Sequence, residues 1–343
     1  MQRAYTLARG FPAHPNPRVG AVIVSTEGQV IGEGAHTGPG ERHAEVVAMD
    51  HAGNSRGATL YVSLEPCTHQ GRTPPCVDRI IAEGVAHVVV GALDPDRRVS
   101  GSGVARMRAA GIEVDVLGDI GARQVDPAYF HHRETGLPLV TLKYAMTLDG
   151  SVAASDGSSQ WVTSEAARDD AHRLRAEHDV VVIGAGTLAE DDPRLDVRLP
   201  GYEGRQPVPV IVAGRTVLAA DARIWERDPI VVTSRPIETP SGTVLVVAGG
   251  ADGRPDPLST ARALADAGHL AVLLEGGPGL AGAWWRSGLI GRGVVYIGAR
   301  IGGGTGLSPM AGGFESIETA EGVTIVATRV LGPDLRIEFE IGC

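Results

Sequence analysis

Short β-branched runs punctuate the first third of the chain. "VGAVIV" (19–24), "QVIGEGAH" (29–36), "ATLYVSL" (58–64), "AHVVVGAL" (86–93) and "IEVDVL" (112–117) predict strands, the first two joined at the turn "TEG". Between them "HAEVVAMDHAG" (43–53), "PPCVDRIIAEG" (74–84) and "GVARMRAAG" (103–111) predict helices, with Gly53 closing the first. Strands alternating with helices predict an α/β layer with a mixed sheet. From Gly118 to Pro138 the pattern breaks into "GDIGARQVDPAYFHHRETGLP", polar and turn-rich, and the expectation is a first domain over 1–118, a connection over 119–138 and a second domain over 139–343. The second domain restarts at "LVTLKYAMTLDG" and continues into a charged amphipathic helix, "SEAARDDAHRLRAEH", with Ser164 as N-cap. Strands are expected at "DVVVIG", "PVPVIVAG", "PIVVTS", "TVLVVAG", "LAVLLEGG", "GVVYIGA" and "DLRIEFEI", and a helix at "LSTARALADAG". No internal repeat or low-complexity tract interrupts this second α/β pattern.

Composition narrows the function. A chain of 343 residues has room for two domains at about 150 residues each, and 43% hydrophobic with 21% charged residues is the balance of a globular protein with real cores. No apolar run approaches the roughly 18 residues of a membrane span, and the first residues lack the apolar core of a secretory signal, so a cytoplasmic protein with no membrane partner is expected. A net charge of -10 and only 4% aromatic residues argue against a nucleic-acid surface, which needs basic stripes and stacking faces. A small-molecule partner is favoured. Three cysteines cannot complete a disulfide framework, and with Cys343 terminal, Cys67 and Cys76 are expected to act as thiolates.

"GERHAEVVAM" (40–49) and "SLEPCTHQGRTPPC" (63–76) carry the first candidate chemistry. His43 and Glu45 open one predicted helix, Cys76 opens another and Cys67 follows a strand, and helix-start amides favour thiolates, which suits zinc ligands. Three ligands leave one tetrahedral position open, as catalytic rather than structural zinc requires, with Glu45 placed to move a proton. The alternatives are a structural zinc with His69 as fourth ligand, or no metal; the close-spaced ligand pairs usual in structural sites are missing. Zinc deaminases carry H-x-E and P-C-x-x-C, and here "HAE" and "EPC" match while Cys76 lies nine positions after Cys67.

Together with "PNPRVGAVIV", "GEGAHTGPGERHAE", "LKYAMTLDG", "SQWVTS", "LAEDDPRL" and "EGGPGLAG", these motifs make the whole chain resemble the bifunctional deaminase/reductase of riboflavin biosynthesis. The resemblance implies an N-terminal cytidine-deaminase-like three-layer domain and a C-terminal dihydrofolate-reductase-like domain. It implies zinc on His43, Cys67 and Cys76, Glu45 as general acid/base, and a diaminopyrimidine ribose-phosphate substrate. Asn16 and His36 would lie near the pyrimidine, and His69 and Arg72 near the phosphate, although an Asn between prolines is often only a turn former.

"DVVVIGAGTLAEDDP" suggests a dinucleotide-binding G-x-G-x-x-A, but Glu190–Pro193 end the segment where the fingerprint needs a continuing helix. A better phosphate cradle is "LAVLLEGGPGLAGAWWRSGL", an apolar strand ending at Glu275, two glycines, and a helix start near Gly279. The resemblance implies NADPH there, on Gly277, Pro278, Gly279, Leu280, Ala281, Gly282 and Ala283, with further contacts from Ala145, Trp161, Thr187, Asp191 and Gly214. It places Lys143, Ser159, Arg175, Leu195, Arg198 and Glu275 at the reductase substrate, whose ribosyl group would be reduced to ribityl. A homo-oligomer, dimer or tetramer, is expected on the same ground. The chain departs from the family at Asp96 in "DPDRR", at Gly214 in "VIVAG" and at Thr147 in "TLDG". A nucleic-acid or free-cytidine deaminase would need a basic face or the short C-x-x-C, and a zinc-stabilised binding module would not need Glu45.

Overall fold

A computed structural model of the chain describes all residues except 12, 70–73, 97, 98, 119, 215, 305, 313–315 and 343. Contacts divide it into two units, Met1–Leu137 and Pro138–Cys343. The first runs α1 (Gln2–Arg9), β1 (Gly20–Val24), β2 (Val30–Ala35), α2 (Ala44–Ala52), β3 (Thr59–Leu64), α3 (Cys76–Glu83), β4 (His87–Ala92), α4 (Ser102–Ala109), β5 (Glu113–Val116), α5 (Ile120–Val125) and α6 (Pro127–Thr135). Its sheet has the order β2-β1-β3-β4-β5, antiparallel across β2, β1 and β3 and parallel from β3 to β5.

Glycines decide how the helices sit. Gly20 pairs with Ala35, and a Cβ there would stand 2.0 Å from the Ala4 carbonyl oxygen of α1. The next residue, Ala21, pairs with Gly34, whose Cβ would stand 2.2 Å from the Ala44 carbonyl oxygen of α2. Successive strand residues face opposite sides, so α1 and α2 cover opposite faces and the unit has three layers. Gly32 and Gly34 together let α2 press its backbone onto β2. Gly34→Ala is therefore expected to shift the start of α2, next to His43 and Glu45. The expected cost is about 1–3 kcal/mol, typical of overpacking, with weakened zinc retention as well; thermal melting and metal analysis check both.

The second unit runs β6 (Leu139–Thr147), α7 (Glu165–Ala176), β7 (Val180–Gly184), α8 (Ala185–Asp191), β8 (Val208–Val212), β9 (Ile230–Thr233), β10 (Thr243–Val246), α9 (Pro257–Asp266), β11 (Ala271–Leu274), α10 (Pro278–Arg286), β12 (Ile290–Gly298), β13 (Val323–Leu331) and β14 (Asp334–Ile341). The order β10-β9-β8-β7-β11-β6-β12-β14-β13 is parallel as far as β12 and antiparallel through β14 and β13. Parallel strands need both faces covered. Val180 and Val182 pack with Ala261 and Leu264 of α9 and Trp284 of α10, while Val181 and Ile183 pack with Ala167 and Leu174 of α7.

Three features differ from the sequence expectation. The segment 119–138, expected as a connection, carries α5 and α6, and both belong to the first unit. Its helix signals are plain in retrospect: Asp126 caps α6 by accepting from the Tyr129 N–H, Pro127 is the first helical residue, and Gly136 closes it at φ 76°. β13 has no counterpart in the expected strands; most of its residues on both faces are exposed, which erases the alternation that marks a half-buried strand. Ser164 is the N-cap of α7, but its hydroxyl makes no capping bond; instead its N–H donates to Asp334.

Candidate active sites

In the first unit, α2 and α3 bring their N-terminal ends together. His43 is the N-cap of α2, Cys76 the first residue of α3, and Cys67 lies in the loop after β3. One donor atom from each, an imidazole nitrogen and two sulfurs, lies within 4.8 Å of the others. His43 Nδ1 stands 3.2 Å from Cys76 Sγ and 3.6 Å from Cys67 Sγ, and the Cys76 N–H donates to Cys67 Sγ at 3.4 Å. The helix-start amide of α3 thus serves Cys67 rather than Cys76. A hydrogen bond from the Cys76 thiol, helped by His43 and that amide, holds the Cys67 thiol below the usual range against its burial, while the same pairing and burial push Cys76 up. A convergent His, Cys, Cys donor set fits a single zinc with its fourth position left over.

His43 and Cys67 line one wall of a cavity of about 720 Å³, with Cys76 buried behind them, and Asn16, His36, Glu45, Glu65, His69, Asp94, Asp96, Tyr129 and Arg133 line the rest. Glu45 is 3% exposed, and burial, with the negative charge of Cys67, raises its pKa against the pull of His43. His36 sits with Nδ1 3.1 Å from the Arg42 carbonyl oxygen and Nε2 2.9 Å from Asn16 Nδ2. A carbonyl can only accept and the amide nitrogen only donate, so the network assigns the proton to Nδ1 and leaves Nε2 as acceptor. Burial lowers the His36 pKa, in keeping with that neutral ring. Asp126 ties this wall to α6: it receives His14 Nε2 at 2.8 Å and the Arg18 N–H at 2.9 Å from the loop that carries Asn16.

Glu65, the acid of "EPC", is absorbed by the scaffold. Its carboxylate accepts from the N–H groups of Gly101, Gly103 and Val104 at the start of α4 and from Asp94. Gly103 has no room for a side chain, since a Cβ would stand 2.3 Å from the Pro66 carbonyl oxygen.

In the second unit the carboxyl ends of β6, β7 and β11 gather the other candidates, in the position where open α/β sheets take ligands. Glu275 follows β11, and Arg175 from α7 forks onto it with Nε–Oε1 at 2.7 Å and Nη2–Oε2 at 3.0 Å. Lys143 Nζ lies 3.5 Å from Oε2. Burial would raise the Glu275 pKa, but Arg175 and Lys143 outweigh it and hold the carboxyl well below its usual range. Next to Glu275, "GGPG" turns into α10 with Gly277 as N-cap and Pro278 first in the helix. The Gly277 N–H donates to Thr187 of α8 at 3.2 Å, and a Cβ on Gly279 would meet nothing within 4 Å. An open glycine at a helix start fits the pyrophosphate of a dinucleotide.

Residues 1–92 match the cytidine and deoxycytidylate deaminase zinc-binding region, and residues 138–336 match the RibD C-terminal domain. The riboflavin biosynthesis protein RibD of Chlamydia muridarum is 42% identical across 96% of this chain and 91% of its own. The chain belongs to the RibD family. RibD of Aquifex aeolicus is 40% identical over 99% of this chain and 97% of its own. Among solved structures, Acinetobacter baumannii RibD superposes with a TM-score of 0.91 at 34% identity, covering 99% of this chain and 97% of that one. A Thermotoga maritima diaminohydroxyphosphoribosylaminopyrimidine deaminase/5-amino-6-(5-phosphoribosylamino)uracil reductase superposes at 0.89, also at 34% identity, over 100% and 97%. The protein is thus a bifunctional enzyme of riboflavin biosynthesis, a zinc deaminase joined to an NADPH-dependent reductase, with the cytidine-deaminase-like and reductase folds that the motifs implied.

Within the RibD frame, His43, Glu45, Cys67, Cys76, Asn16, His36 and His69 all line one cavity or its metal wall. Arg72 lies outside the described residues. In the reductase unit the expected contact residues differ in what they leave open to a ligand. Ala281 is buried in the core on α10, and Gly282 is closed by packing, since its Cβ would stand 2.1 Å from the Ala311 carbonyl oxygen, which leaves their backbone alone to meet a ligand. Leu195 is buried with φ 55°, leaving its backbone alone to meet a ligand. Arg175 spends Nε and Nη2 on Glu275 and Nη1 on the Asp196 carbonyl, so it orients Glu275 first. Arg198 is exposed and paired with Asp196. Trp161 is 58% exposed beneath the Arg168 guanidinium, 4.6 Å from its ring centre. Ala145, Ser159 and Gly214 are partly buried and Asp191 is exposed.

Sequence reasoning missed Asp94, Tyr129 and Arg133. Asp94 stands in the "DPDRR" stretch two residues before Asp96, and Tyr129 and Arg133 lie on α6, inside the segment expected as a connection. His172 was missed as well: its Nδ1 lies 3.1 Å from the same Asp196 carbonyl that Arg175 uses.

Proposed function

We propose that His43, Cys67 and Cys76 hold the zinc and that Glu45 carries the proton in deamination of 2,5-diamino-6-(5-phosphoribosylamino)pyrimidin-4-one. When bound, zinc lowers the pKa of water toward about 7 and so supplies a nucleophile at neutral pH. Glu45, buried and with a raised pKa, would hold the proton that the departing amino nitrogen needs and pass it on. Asn16, fixed by His36, keeps its carbonyl oxygen for an N–H of the pyrimidine. His69 and Arg72 take the phosphate side.

In the reductase unit NADPH supplies the hydride that reduces C1 of the opened ribose. The loop and helix start from Gly277 through Pro278, Gly279, Leu280, Ala281 and Gly282 to Ala283 would bind its pyrophosphate, with Ala145, Trp161, Thr187, Asp191 and Gly214 along the rest of the cofactor. Lys143 and Arg175 hold Glu275 ionised, so that it accepts from ribose hydroxyls, while Ser159, Arg198 and the Leu195 backbone hold the remainder of the substrate.

The observation that carries this reading is the convergence of three zinc donors on the cavity that holds Glu45. Cys76→Ser tests it: the variant is expected to lose about one zinc per chain and its ammonia release while still reducing deaminated intermediate. Full zinc and full deamination would overturn the assignment.

Partners follow the same chemistry. The net charge of -10 favours a small molecule over nucleic acid, and no helix among the described residues is long and apolar enough to cross a membrane. A cytoplasmic setting suits the unpaired thiols of Cys67 and Cys76. A homo-oligomer, dimer or tetramer, is supported by edge strand β13, where Ile325 is 59% and Val330 76% exposed and a second copy would cover them.

A further inference from the structure

We infer that Arg133 of α6 is a substrate-binding residue of the deaminase cavity, taking the ribose phosphate of the diaminopyrimidine. The inference rests on the substrate proposed above. Four observations carry it. Arg133 lines the same cavity as Glu45 and the metal ligands. That lining is otherwise acidic: Glu41, Glu45, Glu65, Asp94 and Asp96 all contribute, and Arg133 is the only Lys or Arg among its described residues. A phosphate dianion entering a wall of carboxylates is repelled unless a cation meets it, and a guanidinium fork matches phosphate oxygens in pairs.

The Arg133 side chain is also held ready. Tyr129 and Arg133 are one turn apart on the same face of α6, and the guanidinium lies over the Tyr129 ring at 4.9 Å. Tyr129 is itself fixed, its N–H on the Asp126 cap and its hydroxyl 3.3 Å from both oxygens of Asp94. Stacking removes rotamer freedom before binding. Apart from Tyr129 the guanidinium is uncommitted: Arg133 makes no ion pair among the described residues, and its Nε is buried without a hydrogen-bond partner. A buried donor without a partner is disfavoured, and an anionic ligand would supply the partner. Asp94 attracts the guanidinium at longer range, which orients it without occupying it.

The test compares the diaminopyrimidine ribose phosphate with its dephosphorylated form in the full-length zinc enzyme, following ammonia. For Arg133→Ala, KM for the phosphorylated substrate is expected to rise about 10-fold to 150-fold, the loss of one charge-assisted contact. The KM of the dephosphorylated substrate and both kcat values should stay within about 3-fold. Arg133→Lys, which keeps the charge and loses the fork, should fall between parent and Arg133→Ala. Should Arg133→Ala not fold, as judged by its zinc content and thermal melting, Arg133→Gln carries the same comparison. An unchanged KM, an equal rise for both substrates, or a fall in kcat for both would overturn the inference and leave Arg133 a structural partner of Tyr129. If the parent enzyme itself does not distinguish the two substrates, the phosphate reading of this cavity fails along with it.

Discussion

Glu45→Gln is expected to lower ammonia release by on the order of 100-fold or more while the protein keeps its fold and its zinc. The amide has the shape of the carboxyl but carries no proton between water and leaving group, and removal of a positioned acid/base typically costs about 10²–10⁴ in rate. Metal retention is part of the expectation, because the three donors are His43, Cys67 and Cys76 and none is altered. The neutral amide suits a site that is already 3% exposed and in which burial disfavours the charged form. Metal analysis beside an ammonia assay checks both halves. Near-normal ammonia release would assign the proton to another group.

The second large effect is expected at the other site. Arg175→Ala removes the forked partner of Glu275, a carboxylate almost wholly enclosed. Breaking a buried ion pair from one side typically costs about 3–5 kcal/mol, and Lys143, still 3.5 Å away, keeps the loss toward the lower end. For a unit of this size that is a fall in Tm of roughly 6–20 °C. Reduction should be lost with it, since Glu275 no longer holds its orientation. The effect depends on pH in a definite direction. The folded pKa of Glu275 lies below its ordinary value of 4.5, so the stabilisation from the pair is fully present above that pH and disappears as acid protonates the group. The gap between parent and variant should therefore be widest near neutrality and narrow below about pH 4.5. A gap that is constant, or widens in acid, would mean that the carboxylate is not held by Arg175.

Much of this was legible in the sequence because local pattern and tertiary demand agree. Parallel strands buried on both faces read as unbroken apolar runs, as "DVVVIG" and "LAVLLEGG" do, and β7 and β11 lie within those runs. The metal donors were legible because "HAE" and "EPC" are chemistry written in short stretches. Legibility failed where a contact joins distant segments. Nothing local to "DPAYFHHRETG" says that Tyr129 reaches Asp94, and the polar composition of the stretch hid a capped helix whose Asp, Pro and Gly signals were present. Ala281 and Gly282 show a related limit. A phosphate-binding motif is counted as a run of residues, but on a helix alternate faces look into the core, and Gly282 is glycine because Ala311 leaves it no room.

One chain holds two catalytic functions used in order, deamination in the first unit and then reduction in the second. The most direct measurement follows NADPH absorbance for Glu45→Gln and the parent, each supplied first with the diaminopyrimidine and then with the already deaminated intermediate. The parent should oxidise NADPH with either compound, while the variant should be silent with the diaminopyrimidine and match the parent with the intermediate. A zinc-loaded, folded variant that oxidises NADPH with the diaminopyrimidine, or fails with the intermediate, would contradict it.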